Sequence, residues 1–364
     1  MSQKSVLALG LMSGTSLDGI DAALLETDGD GVVTPIGALT EPYEAALRER
    51  LRACLGRESP DSETDGVERD MTLAHAGVVE ALLRASGRSA SDVHVVGFHG
   101  HTLLHRPERQ WTWQLGDAAL LASRIGIDVV GDFRTADVQA GGQGAPLAPA
   151  FHAALAASMD KPVAVLNLGG VGNVTWVGPG TGQDEALVAF DTGPGNALID
   201  DWMRRTTGKG FDQDGQAAAA GTVDQAALAA LLAHPYFTAP PPKSLDRDEF
   251  DMGAVDGLTA EDGAATLTAF TVTAVARAAD LLPAPPVRWL VTGGGRHNPT
   301  LMAMLSHALS VPVVPVENAG WDGDALEAQA FAYLAVRSQR GLPLSWPGTT
   351  GVPQPQTGGR LFTA

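Results

Sequence analysis

The stretch LALGLMSGTSLDGIDAALLETD, residues 7–28, decides the reading of the fold. An apolar run from Val6 to Leu11 breaks into the small and hydroxylic residues Ser13, Gly14, Thr15 and Ser16. Asp18-Gly19 closes the turn, and a second apolar run follows from Ile20 to Leu25. Two apolar runs around such a turn read as a tight strand–turn–strand unit. Its tip gathers backbone N–H groups, hydroxyls and one carboxylate, and small side chains let an anionic ligand reach the backbone. The tip is therefore either an ordinary hairpin or a phosphate-holding loop built from Ser13, Gly14, Thr15, Ser16, Asp18 and Gly19. Asp18 would stabilise the turn or hold Mg²⁺ opposite the phosphates, directly or through water.

The same plan returns at VAVLNLGGVGNVTWVG, residues 163–178, where two apolar runs flank the small-residue tip Gly169-Gly170. Two such units suggest a duplicated architecture with phosphate held between two tips. No G-x-x-x-x-G-K-[ST] string occurs, and no G-x-G-x-x-G opens a helix, so hairpin tips take the place of the usual phosphate loops.

Working outward, apolar stretches at 93–98, 129–130, 289–292 and 311–316 read as strands. Segments 41–56, 69–87, 117–125, 216–233, 261–281 and 323–340 have helical spacing. Alternating strands and helices give the α/β class. The Gly/Pro loop 140–149 is the natural hinge, dividing 1–140 from 141–340, with the tail 341–364 packing back on the first domain. A chain of 364 residues suffices for two cores. Its formal net charge of −18 argues against a nucleic-acid partner. The single cysteine, Cys54, excludes an intrachain disulfide. No apolar run approaches the roughly 20 residues of a membrane helix. With a strand directly after Lys4, the cytoplasm is the expected compartment.

Few residues stand out chemically. Asp191 lies where a strand meets Gly193-Pro194-Gly195, and ligands gather at strand C-termini in α/β sheets. It is a candidate base or metal ligand, or an Asp bonded to turn N–H groups. Glu327 interrupts an apolar, Ala-rich helix face, where a carboxylate is costly to bury unless paired or reactive. His99, His101 and His105 could gather around Zn²⁺ or Fe, or serve as hydrogen-bonded structure and sugar-hydroxyl contacts. Arg134 offers a fork for an anionic substrate group. Lys243 and Arg247, in a Pro-rich loop, could reach phosphate or simply be solvated. Gly293, Gly294 and Gly295 with Asn298 leave backbone bare enough for a flat base or a ribose.

These strings, taken in order, resemble the anhydro-N-acetylmuramic acid kinase family. The motifs are MSGTSLDGID at 12–21, GFHGHT at 97–102, DFR at 132–134 and GGQGAPLAP at 141–149. NLGGVGNVT at 167–175, FDTGPGN at 190–196, PPKS at 241–244, TGGGRHNPTLM at 292–302 and DALEAQAFAYLA at 324–335 follow. The resemblance implies the duplicated two-domain fold of actin, sugar kinases and heat-shock ATPases, with ATP and sugar in a cleft between the domains. ATP phosphates would lie at residues 13–19 and at Gly169 and Gly170, with adenosine near Gly293, Gly294, Gly295 and Asn298. His99, Thr102, Arg134 and Asn173 would contact the sugar, Asp191 and Glu327 would be catalytic, and ATP with Mg²⁺ would be required. A homodimer is also implied. The implied reaction opens the 1,6-anhydro bond with water and phosphorylates O6, in cell-wall recycling. The sequence departs from the family at His101, where Gln is usual, and at KSLDRDEF (243–250), where KSTGRE is usual. Two alternatives on the same fold are an actin- or chaperone-like nucleotide switch and a metal-dependent carbamoyl-transfer enzyme.

Overall fold

The computed structural model describes residues 4–14, 17–180, 187–245 and 249–364. The chain forms two compact units, Met1–Ala157 with Ala325–Ala364, and Ser158–Asp324. The loop 140–149 thus lies inside the first unit, and the helix Leu326–Gln339 belongs to that unit as well.

The first unit is built on a seven-stranded sheet. Its strands are β1 (Val6–Ser13), β2 (Gly19–Thr27), β3 (Val33–Pro42), β4 (Val95–Arg106), β5 (Trp111–Leu115), β6 (Val129–Gly131) and β12 (Arg360–Phe362). β1, β2 and β3 form an antiparallel meander; β4 adds parallel to β1 and β6 parallel to β4. The second unit carries β7 (Val163–Leu168), β8 (Val171–Val177), β9 (Leu187–Pro194), β10 (Arg288–Thr292) and β11 (Val313–Pro315). Here too a three-strand meander is extended by two parallel strands, in the order β11-β10-β7-β8-β9. The first sheet repeats this order as β6-β4-β1-β2-β3, so the duplicated α/β plan suggested by the two hairpins extends to five strands in each unit.

Period-two alternation explains how β1 is buried on both faces. Leu9 and Leu11 point into a core with Met71 and Val79 of the helix Ser62–Ala85. Gly10 faces the helix Leu326–Gln339, and a Cβ there would lie 1.8 Å from the carbonyl oxygen of Ala328; at Gly97 on β4 it would lie 2.0 Å from that of Phe331. Glycine is required at both positions because the helix backbone rests directly on the sheet. In the second unit Leu166, Leu168, Phe190 and Val291 pack with residues of the helices Ala260–Ala279 and Pro299–Ala308.

Three elements differ from the sequence pattern. Residues 33–42 add a third strand to the first hairpin, hidden because Pro35, Gly37 and Pro42 interrupt a mostly exposed stretch, with a register shift opposite Leu24 and Leu25. The helix expected from residue 69 begins at Ser62, because the acidic link supplies its cap. The Asp61 carboxylate accepts from the N–H groups of Glu63 and Thr64, and Glu63 and Asp65 complement the helix dipole. The sequence pattern marks no strand at the chain's end, where β12 pairs with β6.

Candidate active site

The first unit contributes a hairpin tip, an arginine and a carboxylate. The tip leaves β1 at Ser13, which is only 1% exposed. The Ser13 hydroxyl is engaged inward, 2.6 Å from the Tyr43 hydroxyl and 2.9 Å from Nδ1 of His101. The turn closes through Leu17 N–H, which donates to Gly14 O over 3.0 Å, with Leu17 held at φ +61°. Gly14 and the exposed Asp18 therefore stand at the tip; Thr15 and Ser16 lie outside the described residues. At Gly19 a Cβ would meet Glu41 O at 2.5 Å, so this glycine serves the approach of β2 to β3.

Arg134 follows β6 at the C-terminal edge of the parallel strands. Its Nε and Nη2 donate to Nε2 of His99 over 3.0 and 2.9 Å, and its Nη1 donates to Gly144 O over 2.7 Å. Because a guanidinium only donates, His99 Nε2 must carry the lone pair. His99 Nδ1 lies 2.9 Å from Gly100 O, which only accepts, so the proton sits on Nδ1. Burial and the neighbouring Arg134 charge push His99 well below the usual histidine range, which keeps it neutral. Burial lowers Arg134 to about 10, with Glu327 and Asp137 opposing the shift. These three hydrogen bonds of the cation go to neutral acceptors. Asp137 positions the group indirectly. Its carboxylate accepts from Gly144 N–H, Thr350 Oγ1 and Ser345 Oγ, fixing the loop whose carbonyl receives Arg134.

Glu327 stands in the first turn of the helix Leu326–Gln339, one turn before Phe331, whose ring lies 4.6 Å from that of His99. Its carboxylate reaches solvent yet is crowded by protein. Desolvation raises its pKa, Asp21 adds to the rise and Arg134 opposes it. Thr102 lies beyond the Gly100 kink of β4, accepting from Gln114 Nε2 at 3.3 Å. His99 also lines a cavity of about 300 Å³ with Trp111, Trp113, Gln114 and Asp132. The three histidines do not converge: His101 binds Ser13, while His105 meets Thr112 and Gln143 O. Among the described residues no group of three or more His, Cys, Asp or Glu could hold a metal ion.

The second unit contributes Asp191, on β9. The register slips by one residue between the pairs Gly172–Gly193 and Asn173–Asp191, leaving Thr192 as the extra residue of a bulge. Bulges re-aim neighbouring side chains. Asn167, Asn173 and Asp191 pair in a row across β7, β8 and β9, which places Asn173 beside the carboxylate. The segment after Pro242 clasps the same residue: Asp191 N–H donates to Lys243 O over 3.0 Å, and Leu245 N–H donates to Asp191 Oδ2 over 2.7 Å. The Tyr236 hydroxyl donates to Asp191 O. Burial pushes the Asp191 carboxyl up to about 7, against the lowering effect of the Leu245 N–H. Lys243 Nζ donates to Tyr236 O over 2.9 Å and lies 4.3 Å from the centre of the Tyr236 ring. Arg247 falls outside the described residues.

Gly169 and Gly170 form the turn between β7 and β8. Their carbonyls accept from the N–H groups of Gly195, Asn196 and Ala197, and a Cβ on Gly195 would lie 2.2 Å from Gly169 O. The Gly-Pro-Gly turn is thus seated against the tip. Gly293 and Gly295 are required by packing, since a Cβ would lie 2.4 Å from Asn167 Oδ1 or 2.6 Å from Leu168 Cβ, respectively. Gly294 faces open space, in a cavity of about 390 Å³ that Asn298 also lines. Asn298 caps the helix Pro299–Ala308 through Leu301 N–H.

Sequence patterns did not point to Tyr43, Asp137, Tyr236 or Leu245. Three of them act through contacts at least 30 residues apart, and the fourth through a carbonyl near Arg134. The only signal was the location of Asp137 just after DFR.

A family model described as anhydro-N-acetylmuramic acid kinase matches residues 6–364. An anhydro-N-acetylmuramic acid kinase from Rhodospirillum rubrum is 60% identical over 365 residues, covering 100% of this chain and 96% of that one. One from Paramagnetospirillum magneticum is 61% identical over 358 residues, covering 98% and 99%. A ligand-bound xylulose kinase from Lactobacillus acidophilus superposes with a TM-score of 0.47 at 11% identity, covering 99% of this chain and 94% of that one. With a family match spanning nearly the whole length and relatives at this identity, the chain belongs to the anhydro-N-acetylmuramic acid kinase family.

Proposed function

We propose that this protein is an ATP-dependent kinase that opens the 1,6-anhydro bond of 1,6-anhydro-N-acetylmuramic acid with water and phosphorylates O6, yielding N-acetylmuramic acid 6-phosphate and ADP in cell-wall recycling. The observation that carries the reading is Asp191, a carboxyl raised to about 7 and clasped by a backbone N–H, in a chain of this family. The anhydro sugar has no free O6 hydroxyl. Water attacks C1, the C1–O6 bond breaks, and O6 takes the γ-phosphoryl group as the bond to ADP breaks. The proton lost by the water passes to Asp191, whose pKa near neutrality suits a general base. Glu327 orients the water or the sugar.

Arg134 receives the lactyl carboxylate, the direct anionic partner that its hydrogen bonds to His99 and Gly144 leave it without. His99, Thr102 and Asn173 contact the ring. The phosphates rest on backbone at Gly14, on Thr15 and Ser16, and on Gly169 and Gly170; Ser13 supports this tip through its inward hydroxyl. Adenosine takes the cavity at Gly294 and Asn298.

The exposed Asp18 suits Mg²⁺, which is bound by one or two carboxylates together with phosphate oxygens. Bound there, Mg²⁺ would neutralise phosphate charge. The metal-dependent carbamoyl-transfer alternative is disfavoured because the three imidazoles are committed to separate partners. No helix among the described residues is long and apolar enough to cross a membrane. We place the enzyme in the cytoplasm, as a homodimer whose mass size-exclusion chromatography with light scattering would report.

The test is ADP release with ATP, Mg²⁺ and 1,6-anhydro-N-acetylmuramic acid. Sugar-dependent ADP and a 6-phosphorylated product are expected. Turnover indifferent to the sugar would instead favour the nucleotide-switch alternative.

A further inference from the structure

The geometry points to Phe211 as the platform on which the nucleotide base stacks and as the residue that makes the enzyme prefer purine over pyrimidine nucleotides; this rests on the kinase reading above. The 390 Å³ cavity of the second unit has polar or small residues over much of its wall, among them Asn196, Asp212, Gly294 and Asn298; two rings line it, the imidazole of His297 and the apolar ring of Phe211. Phe211 is 55% exposed. A flat apolar ring left open to water gains from being covered by another flat ring.

The loop that carries it is fixed. The Asp212 carboxylate, next in sequence, accepts from Ala217 N–H over 2.8 Å and Ala218 N–H over 3.0 Å. Asp214 and Gly215 take left-handed φ values of +53° and +63°, and Thr300 Oγ1 donates to Gly215 O over 2.8 Å. At Gly215 a Cβ would lie 2.1 Å from Asn298 Oδ1, so the loop is seated against the cap of the helix Pro299–Ala308. The backbone that presents the ring is thus anchored on the side of Asp212 to Gly215. Gly294, lining the same cavity, has nothing within 4 Å of where a Cβ would stand and has no left-handed φ. A side chain there is tolerated by the fold and takes up ligand space. Base–aromatic stacking is sequence-tolerant but scales with overlap, which favours the two-ring purines.

Calorimetric titration of the full chain with ATP and, separately, with UTP tests the assignment. The wild type should bind ATP at least about tenfold tighter than UTP. Phe211→Ala should weaken ATP by about fivefold or more and bring the two nucleotides within about threefold, whereas Phe211→Tyr should keep both affinity and preference. Gly294→Val should lose ATP while its melting temperature stays within about 3 °C of wild type. ATP affinity within about twofold of wild type in Phe211→Ala, or in Gly294→Val, would overturn the assignment while leaving the kinase reading intact. Absence of ATP binding by the wild type would overturn the kinase reading and this assignment with it.

Discussion

The buried histidines of the first unit and Asp191 of the second are held in opposite protonation states. In the first, burial drives His75, His101 and His152 down to about 4 and His99 well below the usual range, so four imidazoles are kept neutral. In the second, burial drives Asp191 up to about 7, so a carboxyl stays protonated far above its ordinary 3.8. The same desolvation acts on both, but only the carboxyl arrives near neutral pH, where it can exchange protons. The histidines hold fixed tautomers and set geometry, whereas the aspartate is poised to react.

The largest expected effect is that of Asp191→Asn, which should cut sugar-dependent ADP release by about 10³-fold while nucleotide binding persists. In the wild type, turnover should rise about tenfold per pH unit up to an apparent pKa near 7 and then level off. A mutant within tenfold of wild type would remove the contrast between a reactive and a structural group. Second is Arg134→Ala, expected to raise KM for the anhydro sugar about 100-fold with kcat changed far less, since the truncation leaves a substrate carboxylate without its partner. A fall in kcat at unchanged KM would move Arg134 from binding to chemistry.

Stability gives smaller effects of opposite sign. The folded histidines titrate below their unfolded value of 6.5, so the unfolded chain binds more protons and stability is lost as pH falls from about 6.5 toward 4. The melting temperature should drop by about 5 °C over that range, and His101→Gln should shallow the drop. Asp191 works in reverse. Its folded pKa lies above 3.8, so the folded chain binds more protons, and the contribution fades as pH rises from about 4 to 7. Asp191→Asn should therefore be more stable than wild type at pH 8, by about 1–2 kcal/mol after allowing for partial exposure. Equal melting temperatures there would mean that Asp191 costs the fold nothing and is not strongly desolvated.

Much of this was legible in the sequence because it is local. The two hairpin tips, the Gly-Pro-Gly turn after Asp191 and the cap at Asn298 follow from turn chemistry within a few residues. What escaped depends on contacts across the chain. Ser13 reads as a ligand-facing hydroxyl until Tyr43, 30 residues on, and His101, 88 residues on, are found bonded to it. Arg134 reads as a free fork until His99 fills two of its donors. β3 was missed because Pro35, Gly37 and Pro42 read as strand breakers in an exposed edge strand, and the cap at Asp61 was hidden in what looked like an acidic linker. The division into units was obscured for a similar reason. The helix Leu326–Gln339 follows the second unit in sequence but rests on Gly10 and Gly97 of the first.

That helix has a consequence for biosynthesis. β1 and β4 leave the ribosome early, but the element that covers one of their faces is translated only after all of residues 158–324. At elongation rates of about 5–20 residues per second, the first sheet waits for roughly ten seconds or more with a bare, glycine-notched apolar face. The second unit is contiguous and can finish folding first, so the half of the molecule begun earliest is the last to close. During that interval the nascent first sheet is the part of this protein most exposed to aggregation and to chaperone capture.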